Sequence, residues 1–223
     1  MGRWGYRLFE GDQDLDIAIE INQAFGTGDK DLKLSNMVHQ TDMLAPPEST
    51  RFYKTDKYKT VLAELIVSIR QNLDSGLGDA LFDKYRKKES EIYGRYRVIL
   101  VGALMMRAGA KVRDNDFEHL RELVPKINCN EGYTWPLMDE GFRGPGKRQF
   151  LAALDHYKPG VPRSFAEPSC FNCGKIEADT GNAPERCGRC QRAWYCDKDC
   201  QKAHWKAHKP SCIAPENCPM LNV

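Results

Sequence analysis

The amino-acid sequence predicts a mainly α protein in two parts, a helical domain over residues 1–157 and a small cysteine-rich module over residues 170–212. Three observations carry this. Apolar residues recur at helical spacing through the first part. Pro159, Gly160, Pro162 and Pro168 mark residues 158–169 as a semi-rigid, proline-rich linker. Eight of the nine cysteines then fall between Cys170 and Cys218. Residues 213–223 follow as an expected flexible tail that contains Cys218.

The helical part is read in order. Trp4-Gly5-Tyr6-Arg7-Leu8-Phe9 is aromatic and broken by glycine, which predicts an irregular segment packed on the core. Asp12, Asp14 and Asp16 precede Ile17, Ile21 and Phe25, and acids before an apolar stripe start a helix. Gly26 and Gly28 end it. Residues 29–55 have weak periodicity, and Pro46-Pro47 is expected to break any helix there. Tyr58, Leu62, Leu65, Ile69 and Leu73 predict an amphipathic helix over 56–74. Gly76 and Gly78 interrupt the chain before a short helix with Leu81, Phe82 and Tyr85. Residues 95–108 are apolar nearly all round, the pattern of a buried central helix. Asp114 to Val124 is a further helix stopped before Pro125. Gly144-Pro145-Gly146 is a turn before a last helix over 147–157, with Phe150, Leu151 and Leu154 inward.

Composition narrows the function classes. Of 223 residues, 41% are hydrophobic and 29% charged, enough apolar material for a core. Thirty-three Lys and Arg against 31 Asp and Glu leave a formal charge of +2, which argues against a nucleic-acid binder. No apolar run approaches the ~20 residues of a membrane span. The first residues have no signal-peptide pattern, and Tyr6 stands where myristoylation needs Ser or Thr. The expectation is an intracellular protein, with nucleus or cytoplasm unresolved. In a reducing compartment, clustered thiols are metal ligands rather than disulfides.

The ligand spacing is Cys170-x2-Cys173, Cys187-x2-Cys190, Cys196-x3-Cys200 and His208-x3-Cys212. A two-residue gap turns both thiolates of a knuckle toward one tetrahedral ion, and an i, i+4 pair shares a helix face. Four pairs make eight ligands, enough for two four-coordinate zinc ions. Seven thiolates bring −7 and two Zn2+ ions +4, which takes the formal charge from +2 to −1. With every ligand position filled, no site is left open for water, so the zinc is structural. Spacing alone leaves two matters open: which pairs share an ion, and whether His204 competes with His208 on the stripe of Cys200, His204, His208 and Cys212.

These residues resemble the MYND zinc finger. The match rests on Tyr195-Cys196, Cys200-Gln201, Trp205, His208-Lys209 and Cys212 after the two cysteine knuckles. The resemblance implies a cross-braced fold, with one zinc on Cys170, Cys173, Cys196 and Cys200. It places the other on Cys187, Cys190, His208 and Cys212, and it favours His208 over His204, which is then a solvated helix residue. It further implies that the finger is a protein-protein interaction module that binds short proline-containing peptides of regulatory partners, with Gln201 and Trp205 in contact. The stretches Trp4–Asp12 and Val101–Ala110 are similar to uncharacterised fungal proteins that end in a MYND finger, a resemblance that assigns no activity to them.

The resulting expectation is a zinc-binding adaptor without enzymatic activity. The alternative is an enzyme with an unrecognised activity in residues 1–157. A protein-lysine methyltransferase fits poorly, because its MYND finger is inserted within catalytic sequence and no Asn-His pair of its cofactor site is found. Gly141 to Arg148 imitates a phosphate-binding loop, but the Ser or Thr after Lys147 is missing and the approach Trp135 to Glu140 is no strand. His39, His119 and His156 lack a triad pattern, and Cys129 has no neighbour of its own kind.

Overall fold

The computed structural model describes residues 2–39, 47–131 and 141–217. Trp135 to Glu140, Pro46 and Cys218, each singled out above, lie outside the described residues. The architecture is mainly α, as the periodicity predicts.

Helix α1 (Asp12–Asn22) buries Ile17, Ala18 and Ile21. A short α2 (Pro47–Phe52) begins at the second proline of the expected break. Proline is tolerated in the first helical turn, where its missing N–H has no partner to lose, so Pro47 starts a helix here instead of preventing one. In α3 (Asp56–Asn72) the Thr55 hydroxyl accepts the Tyr58 N–H at 3.2 Å as an N-cap. Ile66 and Ile69 point inward. A wide turn, Leu73–Leu77, links α3 to α4 (Gly78–Arg86), and Gly76 at φ 108° makes the kink.

The centre is α5 (Gly94–Ala108), with Val98 through Met106 buried without a gap. Such a helix needs apolar neighbours on all sides, and α1, α3, α4 and α6 (Asp114–Leu123) provide them. Asp116 of α6 is buried and accepts from Arg86 at 2.8 Å and Arg113 at 2.6 Å, which satisfies its charge. Strand β1 (Cys129–Asn130) pairs in parallel with β2 (Phe142–Arg143), and α7 (Gly144–His156) follows directly. The expected Gly-Pro-Gly turn is thus the first turn of α7.

The N-terminal segment is pinned by a buried pair, Arg3 to Asp14 at 2.9 Å. The Tyr96 hydroxyl donates to the same carboxylate at 2.8 Å, and Arg3 also reaches the Gly141 carbonyl. Breaking one partner of such a buried pair typically costs about 3–5 kcal/mol.

The proline-rich segment lies on the helical body. Gly160 N–H donates to the Gly109 carbonyl and Arg163 N–H to the Met106 carbonyl, at 2.8 and 2.9 Å. Phe165 is buried between the rings of Phe9 and Phe150. Beyond it come a one-turn α8 (Glu177–Thr180), an antiparallel hairpin of β3 (Glu185–Arg186) and β4 (Trp194–Tyr195), and α9 (Lys198–His208). Arg163 forms two 2.6 Å bonds to Asp179, tying α8 to the segment before it.

Candidate metal centre

Two knuckles and a helix place the ligands. In the first knuckle Gly174 N–H returns to the Cys170 carbonyl at 2.8 Å and the chain turns through Gly174 at φ 78°. In the second, Gln191 N–H returns to the Cys187 carbonyl at 3.0 Å. The Asp197 carboxylate caps α9 by accepting the Cys200 N–H at 2.7 Å. Along α9, Cys200 then faces one group of ligands and His208, two turns on, faces the other.

The two groups are Cys170, Cys173, Cys196 and Cys200, and Cys187, Cys190, His208 and Cys212. Within each, the ligand atoms lie within 4.8 Å of one another. Tetrahedral zinc with bonds of about 2.3 Å to sulfur and 2.0–2.1 Å to nitrogen separates its ligand atoms by about 3.5–3.8 Å. The Cys173–Cys196 and Cys187–Cys212 sulfurs stand 3.6 and 3.7 Å apart, and Cys190 Sγ is 3.5 Å from His208 Nε2. The donor chemistry agrees. Burial, with nearby sulfurs adding to it, pushes the Cys200 and Cys212 thiols up to about 12. A dication reverses that penalty and takes such thiols as thiolates. Burial also holds His208 below its ordinary value, in the neutral form that binds metal. The two clusters fit two structural zinc ions. Phe171, Ala193 and Tyr195 form the small apolar core beside them.

His204 is 8% exposed, so it is not the solvated residue expected from the sequence. Its Nε2 lies 3.1 Å from Arg148 Nη2 and its Nδ1 3.0 Å from the Tyr195 hydroxyl. Arginine only donates, so Nε2 accepts and the neutral ring carries its proton on Nδ1 toward Tyr195. Burial, then the Arg148 charge, lowers its pKa to about 4 and keeps it neutral. Both ring nitrogens are engaged outside the ligand groups.

Arg148 is a site residue that spacing gave no reason to choose. From α7 it donates to the Phe171 carbonyl at 2.6 Å, to His204, and to Glu131 at 3.2 Å. The Tyr6 ring meets Phe171 at 5.3 Å. Gly174 fits because a Cβ there would stand 1.9 Å from the Arg148 carbonyl oxygen. Trp205 is 40% exposed, its ring 5.9 Å from that of His208, and Gln201 is half-buried one turn earlier. Cys129 is exposed on β1. His119 pairs with Glu89, and His39 Nδ1 lies 3.3 Å from the Tyr58 hydroxyl; neither belongs to a metal group.

Two closed four-ligand clusters, joined by one helix that serves both, define a small two-zinc module. Residues 170–212 match the MYND finger family and are such a finger. Among relatives, N-lysine methyltransferase SMYD2-A of Danio rerio is 32% identical over 84 residues, covering 34% of this chain and 19% of its own length. Histone-lysine N-methyltransferase ASHR1 of Arabidopsis thaliana is 39% identical over 82 residues, 31% of this chain and 16% of that protein. MYND-type zinc finger protein samB of Emericella nidulans is 47% identical over 45 residues, 20% of this chain and 8% of that protein. The chain spans less than a fifth of the length of these relatives, and the matches to methyltransferases cover about a third of this chain. No solved structure matches the chain. MYND fingers are non-catalytic protein-interaction modules. Among the described residues, no helix is long and apolar enough to cross a membrane.

Proposed function

We propose that this chain is a zinc-dependent adaptor, without catalysis of its own, that captures short proline-containing segments of regulatory protein partners. In this reading residues 170–212 are the docking module, residues 1–157 its platform and 158–169 the strap between them. The eight residues of the two clusters hold the metal, and Gln201 with Trp205 forms the contact face. Thiolate ligation suits a reducing intracellular compartment. The observation that carries the reading is Trp205. On α9 His204 and His208 are buried while Trp205 is 40% exposed, so this large ring stays out of the small core that would have used it. An exposed aromatic beside a polar Gln is a common anchor, and a proline-containing segment loses little freedom on docking against it.

Trp205→Ala tests this. Peptide capture by the full chain should fall by about 2 kcal/mol or more, with two zinc ions retained. Gln201→Ala should cost about 1 kcal/mol, the loss of one hydrogen bond. Loss of zinc from Trp205→Ala would assign the ring to the fold, and unchanged capture would remove this face from the function.

A further inference from the structure

Beside Trp205, α9 and Lys209, the residue that follows it, carry a stripe of lysines. At 100° per residue, Lys198, Lys202 and Lys209 lie within about 60° of Trp205 on the exposed side, and Lys206 borders them. All four are exposed. Lys202 approaches Asp199 at 3.4 Å. Lys198, Lys206 and Lys209 have no ion-pair partner among the described residues.

This arrangement is costly for a helix that only meets water. Lys198, Lys202 and Lys206 repeat at i, i+4, where like charges repel. Lys198 also stands in the first turn, where the helix dipole disfavours a cation. Within α9 one acid, Asp199, meets the stripe at Lys202, and the dipole favours Lys206 in the last turn. Acidic groups of a partner would neutralise the cations left without an ion pair.

We propose that this face takes a partner segment whose proline and aliphatic residues are flanked by acidic side chains, the carboxylates lying along Lys198, Lys202, Lys206 and Lys209. This rests on the peptide-capture reading of Trp205 and adds the charge of the partner. A peptide is favoured over nucleic acid for two reasons. The stripe runs only about 16 Å, the reach of about five extended residues. The zinc-loaded chain also carries a formal charge of −1, which opposes a polyanion beyond that stripe.

The test uses the full chain, zinc-loaded, and two labelled peptides with one proline–leucine–proline core. One has glutamate flanks and the other glutamine flanks. At low salt the acidic peptide should bind about tenfold more tightly, from several exposed ion pairs of modest strength. The preference should shrink as salt shortens the Debye length toward a few ångströms. Lys202→Gln with Lys206→Gln should bring the ratio of the two affinities close to one while zinc stays at two ions. Lys57→Gln, at an exposed position in the first turn of α3, should leave the ratio unchanged. Equal binding of both peptides, abolished by Trp205→Ala, would overturn the acidic preference and leave the peptide reading standing. Binding of neither peptide would overturn both. A thymidine oligonucleotide that binds more tightly than the acidic peptide and is lost in the lysine variant would assign the stripe to nucleic acid instead.

Discussion

His204 and His208 sit one helical turn apart with stacked rings 6.1 Å from each other, yet their chemistry differs. His208 turns Nε2 into the cluster of Cys187, Cys190 and Cys212. His204 gives one nitrogen to Tyr195 and the other to Arg148. His208→Ala should therefore release one zinc and unfold part of the finger. His204→Ala should leave both ions bound, and it should cost about 1–3 kcal/mol through the polar partners it strands. Metal analysis with a thermal melt separates the two. A His204→Ala protein holding one ion would move the ligand by a turn. The sequence could place both histidines on the ligand stripe, because i, i+4 spacing is local. It could not show that Arg148, 56 residues upstream, claims one of them. Contacts across the chain leave no periodic mark.

Helix spans were legible wherever an apolar stripe met a clear start or stop. The central helix, predicted over 95–108, forms at Gly94–Ala108; Val98 to Val101 would also suit a buried strand, but the Ala-Leu-Met-Met-Arg-Ala half favours helix. Two starts near prolines were not legible. At Pro47 and at Gly144-Pro145-Gly146 the turn-forming residues became the first helical turn, since proline pre-sets the helical φ and glycine makes room. The knuckle that carries Cys170 and Cys173 depends on Gly174. Any Cβ there meets the α7 backbone, and φ 78° disfavours other residues by a further ~1–2 kcal/mol. Gly174→Ala should keep two zinc ions but lift the knuckle from α7. Hydrogen exchange should then speed up at the start of α7 and around Phe171. Unchanged exchange would mean that the knuckle is not seated on α7.

Across the whole molecule, the finger and the helical body share an interface made by Tyr6, Arg148, Phe171 and Gly174. The bonds from Arg163 to Asp179 and from Arg7 to the Ala166 carbonyl extend the same contact. Linker composition alone suggests two parts that fold separately. The structure places contacts between them: Phe165 and Arg163 hold the linker on the body and Phe171 rests against it, which predicts coupled stability. Chelating the zinc should thus melt residues 170–212 and also lower the melting temperature of the helical body. The expected drop is on the order of 5–10 °C, a few kcal/mol at this chain size. Calorimetry of the zinc-loaded and chelated full chain would read it. A body transition at the same temperature in both would show the two parts to be independent.

The seating of Phe171 against Tyr6 and Arg148 has a further consequence, for turnover. A chain that loses its metal does not merely lose the fold of its finger; it uncovers aromatic surface on the body, at Tyr6, that the finger had sheltered. Surface of that kind is what chaperones and proteases act on, and losses of about 1–2 kcal/mol already change steady-state abundance several-fold. Free zinc binds the folded state and stabilises it by mass action. Zinc supply would then govern how long each molecule survives, so the amount of this protein would follow metal availability.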